Sequence, residues 1–310
     1  MTVLGFTLVN GLLAVECHPA HGFVISTIRR NGDGTNLLWM PEGASLGPLS
    51  GEIGPSGIAS IATFDGGILA GGWFTMFPTA GLPGDDQTRW MHGEAARLPW
   101  EVQTATSTSL ACVVLTRHFI VRREVALTSN EVRVTTTATN TSGETQAVTF
   151  GEHPCFSRSL YSGGQLELRA ISATSTSTAD IANSTLRPEN AFEWPNAPRT
   201  DGGVLDLAAI PVDADGRHDH VGLTIPDGAA AIRDNNGNGI ELSWGASKLP
   251  HALLWQHFRP EGSPWANGDV FAVEPSSAPG RTFSESAAAG GVTTVDAEAS
   301  VSWWTSLRVG

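Results

Sequence analysis

Basic residues are scarce in this sequence. It contains a single lysine, Lys248, and its 18 Lys and Arg residues face 31 Asp and Glu, so the formal net charge is −13 at pH 7. Nucleic acids and anionic membranes are bound through basic patches, and this charge balance therefore argues against both as partners. A neutral small molecule fits the composition better.

Cysteine is also rare. Cys17, Cys112 and Cys155 are too few and too far apart for a disulfide framework or a CxxC metal site, and three cysteines cannot all pair within one chain,. We therefore expect a reducing compartment and no metal. Neither a Walker glycine motif nor a dinucleotide-binding glycine motif is present, so we also expect no cofactor.

Long hydrophobic runs are missing. No segment approaches the roughly 18 apolar residues that a membrane helix needs. The first residues, MTVLGFTLVNGLLAVECHPAHG, lack a basic start and a small-residue cleavage site, and Asn10 and Glu16 interrupt their apolar positions,. We therefore expect a soluble, cytoplasmic protein without a membrane partner. The sequence leaves open whether it is a monomer or a homodimer.

Tyrosine occurs once, whereas tryptophan occurs ten times. Indole rings stack well on the apolar faces of sugars, but they also fill protein cores. The bias is therefore compatible with sugar binding and with ordinary packing.

Strand patterns dominate the chain, and no long amphipathic helix is visible. Residues 110–139 are rich in Val, Thr and Ile, which predicts two or three antiparallel strands with a turn at Ser129-Asn130,. Asn10-Gly11 predicts a hairpin. We expect loops and short strands over 40–72, and an exposed excursion over 173–192. The chain is predicted to be all-β, with residues 1–310 forming one domain.

Two histidine- or aspartate-containing motifs are candidate metal sites. In RDNNGNGIELSW, at 233–244, the residues from Asp234 onward begin like a calcium loop. The twelfth residue counted from Asp234 is Gly245, where a calcium loop requires a glutamate, so a hairpin turn is the better interpretation,. His218 and His220 would share one face of a strand, as a metal pair does. No third ligand is evident, which favours a solvated loop.

The strongest candidates for chemistry are a histidine and a glutamate that each precede proline. His153 lies in GEHPCF and Glu274 in AVEPSSAP. Proline holds the residue before it in extended backbone. Histidine titrates near neutrality, and the apolar approach FAVEP predicts a partly desolvated Glu274 with a raised pKa. The two side chains are a possible acid/base pair.

Three sequence blocks resemble the aldose 1-epimerase (galactose mutarotase-like) family. They are NTSGETQAVTFGEHPCF at 140–156, WQHFRPEGSPWANGDVFAVEPSS at 255–277, and GGWFTMFPTAG at 71–81 followed by HGEAARLPW at 92–100. They occur in family order, and weaker matches extend over nearly the whole chain. The resemblance implies a large antiparallel β-sandwich, the galactose mutarotase-like supersandwich with few short helices, and a sugar site in a cleft on one sheet.

The resemblance also implies roles for individual residues. Glu274 matches the family's catalytic base in its EP motif, and His153 matches the catalytic acid of an HP-x-F motif. Cys155 departs from the family, in which a tyrosine or another residue is common. His92 matches a second family histidine that binds near the ring oxygen. Weaker candidates for sugar binding are Trp255, Trp73, Asp269 and Gln256.

Arginine placement bears on whether the substrate carries a phosphate. In hexose-6-phosphate relatives, the second histidine begins a motif like HG-x-A-R. Here the segment that begins at His92 has its arginine one residue later, at Arg97. A shift by one residue reverses the face of a strand. We therefore expect a free aldose, although Arg89, Arg158 and Arg259 would be alternative phosphate ligands if the fold gathered them.

The leading functional hypothesis is an aldose 1-epimerase that interconverts the α and β anomers of a free aldohexose. A hexose-6-phosphate 1-epimerase and a non-catalytic carbohydrate-binding protein of the same fold are alternatives. A glycoside hydrolase ranks last, because hydrolases use two carboxylates and the motifs contain one.

Overall fold

The architecture is two large antiparallel β-sheets. The computed structural model describes residues 5–69, 71–176, 184–262 and 268–310. In these ranges one sheet has ten strands, the other has eight, and every strand pair within them is antiparallel. The prediction of an all-β antiparallel sandwich is confirmed.

The strands follow one another along the chain with few helices between them. The first half contains β1 (Phe6–Val9), β2 (Leu13–His18), β3 (Val24–Arg30), α1 (Ala59–Gly67), β4 (Trp73–Met76), β5 (Glu101–Ala105), β6 (Ser109–Leu115), β7 (Phe119–Thr128), β8 (Glu131–Asn140), β9 (Gln146–Val148) and β10 (Gly151–Ser157). The second half contains β11 (Gln165–Leu168), β12 (Ser172–Ser175), β13 (Ala191–Phe192), β14 (Asn196–Pro198), β15 (Val204–Asp206), β16 (His218–Thr224), β17 (Ala229–Arg233), β18 (Gly239–Trp244), β19 (His251–Phe258), β20 (Asp269–Ser276), α2 (Phe283–Ala288), β21 (Thr293–Val295) and β22 (Ser300–Val309). Short 3-10 helices lie at Ala95–Arg97 and Ser159–Tyr161.

The centre of the ten-stranded sheet is built from strands that are distant in the chain. Its order is β1-β2-β3-β4-β10-β20-β19-β16-β12-β13, and the eight-stranded sheet has the order β11-β17-β18-β22-β8-β7-β6-β5. In the first sheet, β4 and β10 therefore adjoin β20 and β19. The sequence blocks that resemble the epimerase family thus meet side by side.

The main hydrophobic core lies between the two sheets. Strand β7 alternates buried and less buried residues along its length, so Val121 and Val125 point into this core. Because side chains alternate across a strand, one face of each sheet is apolar. Trp303 from the second sheet stacks on Phe77 and Phe150 in the same core. One continuous apolar cluster joins both sheets, although the single domain over 1–310 remains a prediction.

A buried carboxylate, Glu152, connects the two sheets. It lies on β10, and its Oε2 accepts hydrogen bonds from Arg123 (2.7 Å) and Trp73 Nε1 (2.9 Å). Its Oε1 accepts from Thr136 (3.1 Å) and Trp303 Nε1 (3.2 Å). Glu152 and Arg123 are both fully buried, and a charge is tolerated there because it is paired and hydrogen-bonded,.

Several turns agree with the sequence predictions. Asn10-Gly11 lies in the hairpin between β1 and β2, and residues 110–139 form β6, β7 and β8 with the turn at Ser129, whose φ is 55°. The motif at 233–244 is the hairpin between β17 and β18, in which the Asp234 carboxylate accepts from the backbone N–H groups of Asn236 and Asn238. These predictions are confirmed.

Three local predictions are wrong in part. Residues 40–72 contain a helix, α1, which buries only Ser60 and Phe64 and so has no repeating apolar stripe to detect. Within 173–192, β12 and β13 form the edge of the ten-stranded sheet, and residues 177–183 of that excursion lie outside the described residues. His218 and His220 lie on strand β16 rather than in a solvated loop.

Candidate active site

A cavity opens on the face of the ten-stranded sheet that is turned away from the main core. Its volume is about 140 Å³, and its floor is formed by side chains of β10, β20, β19 and β16. Residues of α1 and the segments around Gly81 and Arg281 form its walls. The cavity contains both residues of the predicted acid/base pair.

The strand register brings His153 and Glu274 together. Gly151 of β10 pairs with Ser276 of β20, so His153, two residues after Gly151, stands opposite Glu274, two residues before Ser276. Directly opposite residues in an antiparallel pair have their side chains close together on the same face. His153 Nε2 and Glu274 Oε1 are 3.3 Å apart.

This contact is between uncharged groups at neutral pH. His153 is 4% exposed and Glu274 3% exposed. Burial lowers the pKa of His153 to about 3. It raises the pKa of Glu274 to about 8, although the positive charge of Arg281 works in the opposite direction. The distance alone would suit an ion pair, but the low-dielectric surroundings disfavour both charges, so a neutral imidazole faces a protonated carboxyl.

Neighbouring strands fix the ring of His153. Phe74 of β4 pairs with His153 across the sheet, and the two rings are stacked with centroids 4.6 Å apart. Trp255 makes an edge contact with the same ring at 5.8 Å. The thiol of Cys155 lies 3.3 Å from His153 Nδ1. Cys155 therefore lies on the His153 face, as strand alternation predicts, and its burial raises the pKa of the thiol well above its usual value.

His92 enters the cavity from a strained loop. Its φ is 57°, in the left-handed region, and the next residue, Gly93, has φ 75°. A Cβ on Gly93 would lie 2.2 Å from the backbone of Phe77, so only glycine fits there,. The His92 ring packs edge-on against His153, with centroids 5.2 Å apart. Its Nδ1 has no hydrogen-bond partner, and burial keeps its pKa well below the ordinary value.

Two further histidines line the cavity, and sequence reasoning had placed them elsewhere. His218 and His220 alternate with buried Asp219 along β16, and His220 pairs across the sheet with Trp255. The His220 ring stacks on the Trp255 indole with centroids 6.2 Å apart. The signal that could have found them is the alternation HDHVGLT, which is that of a half-buried strand.

Arg281 and Asp65 complete the cavity and were also missed. Asp65 lies on α1, and Arg281 lies between β20 and α2. Burial raises the pKa of Asp65 to about 6, against the pull of the Arg281 and Arg97 charges. Nothing local in the sequence marks either residue, because each reaches the cavity only through the packing of its helix or loop on the sheet.

Three predicted sugar ligands are not in the cavity, and their assignment is corrected. Trp73, Gln256 and Asp269 are one residue out of phase with the cavity-facing positions of their strands, so their side chains lie on the opposite face of the sheet,. Each is buried and has its own partner there. Trp73 donates to Glu152, Gln256 donates to the Leu207 carbonyl, and Asp269 pairs with Arg158. Of the weaker candidates, only Trp255 lines the cavity.

The arginines considered as phosphate ligands do not gather around the cavity. Arg158 and Arg259 both pair with Asp269, and Arg89 pairs with Asp86. Arg97 is buried and donates to backbone carbonyls, including those of Met91 and Ser60. Among the described residues, the arginine that lines the cavity is Arg281.

The described residues contain no group of three or more His, Cys, Asp or Glu side chains arranged to hold a metal ion. In the same part of the chain, no helix is long and apolar enough to cross a membrane. The three cysteines are free and buried.

Comparison with solved structures places this architecture. A protein from Synechocystis sp. PCC 6803 superposes with a TM-score of 0.70 at 18% identity, covering 100% of this chain and 96% of its own. A protein from Escherichia coli provisionally named an aldose 1-epimerase gives a TM-score of 0.69 at 19% identity, with 99% and 98% covered. A galactose mutarotase related enzyme from Lactobacillus acidophilus gives 0.67 at 14% identity, with 99% and 97% covered.

The fold is galactose mutarotase-like. At these identities the likeness shows the fold and leaves the activity to the residues of the site. No protein-family model matches the sequence, and no curated protein matches it. The galactose mutarotase-like fold expected from the sequence resemblance is confirmed.

Proposed function

We propose that this protein is an aldose 1-epimerase that interconverts the α and β anomers of a free aldohexose. The observation that carries the proposal is the pair formed by His153 and Glu274, buried and 3.3 Å apart on the floor of a cavity. The galactose mutarotase-like fold supports it, since some proteins of similar structure carry mutarotase or epimerase names.

The reaction needs one proton acceptor and one proton donor. Glu274 takes the proton of the anomeric hydroxyl, O1–H. The electron pair of the O1–H bond then forms the C1 carbonyl as the C1–O5 bond breaks. His153 gives a proton to O5. Rotation about C1–C2 then presents the other face of the aldehyde, and the reverse transfers close the ring as the opposite anomer.

Near pH 7 the free pair holds one transferable proton. It resides on Glu274, because the carboxyl pKa of about 8 lies above neutrality and the His153 pKa of about 3 lies below it. Moving this proton across the contact gives the carboxylate and imidazolium that the assigned roles require. The opposite assignment uses the same proton, so pH dependence reports on the pair rather than on one residue.

The other cavity residues supply binding. His92 and His220 each have an Nδ1 atom without a hydrogen-bond partner, and hydroxyl groups of a sugar would satisfy such atoms,. Trp255 presents an indole beside them, which suits the apolar face of a sugar ring,. Arg281 is the cavity's only cationic side chain among the described residues, and Asp65 counters its charge. This balance favours a neutral sugar over a hexose 6-phosphate.

Polarimetry tests the proposal. Freshly dissolved α-D-glucose and α-D-galactose are followed with and without protein, with a hexose 6-phosphate in parallel. We expect acceleration by the native protein and a loss of about 10²- to 10⁴-fold in Glu274→Gln, the range for a missing general acid or base. Glu124→Gln, on the exposed face of β7, is the matched control. An unchanged rate in folded Glu274→Gln refutes the assignment.

Two alternatives have distinct outcomes in the same experiment. Sugar binding by calorimetry without accelerated mutarotation would identify a carbohydrate-binding protein of this fold. Asp65 is a second carboxylate in the cavity, which is a reason to assay a neutral oligosaccharide for release of reducing sugar,. Such release would identify a hydrolase instead.

A further inference from the structure

A larger groove continues outward from the catalytic cavity. Its volume is about 870 Å³, compared with about 140 Å³ for the cavity. The two share Ile61, Asp65, Leu82 and Arg281 as lining residues, so they form one depression. We propose that this groove, between α1 and the start of α2, binds a neutral glycosyl residue attached to the sugar whose anomeric carbon is in the cavity. The proposal rests on the epimerase function and names its substrate as the reducing end of a neutral oligosaccharide.

The positions of the reactive groups set the direction of such a substrate. His153, Glu274 and His92 line the inner cavity and do not line the groove. The reacting C1 therefore lies at the closed end. The far side of the same ring, which carries the C4 and C6 oxygens, then faces the shared residues Asp65 and Arg281. A substituent on either oxygen leads into the groove without displacing the anomeric centre.

The lining of the groove suits a second sugar ring. One side of the groove is apolar. It is formed by Ile61 and Ala62 of α1 and by Ile58, which immediately precedes α1 and is 70% exposed. Thr282 and Ser284 supply hydroxyls on the other side. A pyranose has apolar C–H faces and a polar rim, so an apolar side combined with a few polar groups matches it.

The charge of the groove excludes anionic substituents. Among the described residues, its lining contains four carboxylates, on Asp65, Asp85, Glu189 and Glu285, and one cation, Arg281. Glu285 accepts hydrogen bonds from the backbone N–H groups of Arg281 and Thr282, which holds this carboxylate at the groove. Like charges oppose a phosphate or a uronate here, whereas neutral hydroxyls can donate to the carboxylates.

The test compares kcat/KM for neutral disaccharides and glucose. Maltose and isomaltose extend the reducing glucose from C4 and C6, respectively, and mutarotation of each fresh anomer is followed by polarimetry or NMR. We expect at least one disaccharide to be preferred over glucose, and glucose over glucose 6-phosphate. Ala62→Trp fills the groove from the exposed side of α1 and is expected to lower the ratio of disaccharide to glucose kcat/KM about tenfold. Ala59→Trp, an exposed position on the same helix outside the groove, is the matched control.

The outcomes separate this proposal from the proposed function. Acceleration with glucose, combined with a disaccharide-to-glucose ratio below one that Ala62→Trp does not change, overturns the groove and leaves the epimerase intact. A preference for glucose 6-phosphate also overturns it. If no sugar is accelerated, the epimerase fails, and calorimetry decides the groove. Tighter binding of maltose than of glucose that Ala62→Trp abolishes supports the groove, and equal binding overturns it.

Discussion

Two buried glutamates on neighbouring strands show how one chemical group takes different roles. Glu152 on β10 faces the main core, and its carboxylate accepts four hydrogen bonds, one of them from Arg123. Glu274 on β20 faces the cavity, where its close polar contact is His153. Both side chains are almost completely buried.

The difference lies in how fully each carboxylate is solvated by the protein. Four donors replace the water that Glu152 loses, and together they occupy both carboxylate oxygens. Glu152 therefore has no acceptor site free for a ligand. Glu274 lacks that compensation, and its pKa rises to about 8. Groups left under-compensated in a cavity are typical of catalytic sites, whereas fully bonded ones stabilise a fold.

The largest effect is expected from breaking the Glu152 network. All four side chains that contact the Glu152 carboxylate are hydrogen-bond donors. In Glu152→Gln the amide NH₂ would face two of these donors with a further donor, and buried Arg123 would lose its counter-charge. We expect the free energy of unfolding to fall by about 3–5 kcal/mol. Urea denaturation measures it. Glu124→Gln, at an exposed ion pair, is the control and is expected to change stability by less than about 1 kcal/mol,. A similar small loss for Glu152→Gln would contradict the comparison.

The pH dependence of catalysis tests the other carboxylate. Losing the proton shared by Glu274 and His153 leaves the pair without a donor, so kcat/KM is expected to be flat from about pH 5 to 7.5 and to fall about tenfold per unit above pH 8,. Ordinary pKa values would instead give a maximum between about 4.3 and 6.5. Mutarotation rates corrected for buffer catalysis decide between the two profiles.

Whereas Glu152→Gln is expected to lower the free energy of unfolding, Glu274→Gln is expected to raise it at high pH. The folded pKa of Glu274 is raised, so its carboxyl contributes fully to stability below the unfolded pKa of 4.5 and loses that contribution as pH rises through about 8,. The amide does not ionise. Each pH unit between 4.5 and about 8 costs the native protein about 1.4 kcal/mol relative to the variant,. We therefore expect the difference in the free energy of unfolding to move in favour of the variant by about 4 kcal/mol between pH 5 and pH 9,. Thermal melts at both values check this, and a pH-independent difference would refute it.

The smallest effect is expected at Cys155. Its thiol touches His153 Nδ1, so it helps to hold the ring that meets Glu274. Cys155→Ser keeps a polar contact and Cys155→Ala removes it. We expect a several-fold lower kcat in the alanine variant, equivalent to about 1 kcal/mol, and a smaller loss in the serine variant, with KM little changed. Equal losses in both variants would assign Cys155 to packing alone.

Sequence reasoning predicted correctly those features that a short local motif determines. The hairpins and the strands of 110–139 follow from short motifs, and the two motifs that contain His153 and Glu274 lie close together, whereas the acid and base roles of these residues stay a proposal. Trp73 shows why other predictions failed. The resemblance located the strand but not its phase, and the neighbouring Phe74 is the aromatic residue that faces His153. A shift of one residue along a strand exchanges core for cavity.

The remaining cavity residues depend on tertiary packing. His218 and His220 needed β16 to be placed beside β19, which brings His220 against Trp255. Asp65 and Arg281 needed α1 and the loop before α2 to close over the sheet. The alternation HDHVGLT marks β16 as a strand but does not show which strand lies beside it, and nothing periodic marks Asp65 or Arg281. The rim of the site, and with it the groove, therefore could not be predicted from the sequence.

The pairing of β10 with β20 has a consequence for folding kinetics. His153 and Glu274 belong to strands that adjoin in the sheet but are separated by β11 to β19 in the chain. Closing so long a loop is slow compared with forming a hairpin such as β6–β7. After dilution from denaturant, the proposed mutarotase activity should therefore return in the last kinetic phase, after the circular dichroism signal of the strands has largely recovered. Recovery of the proposed activity would therefore report when β10 and β20 have paired.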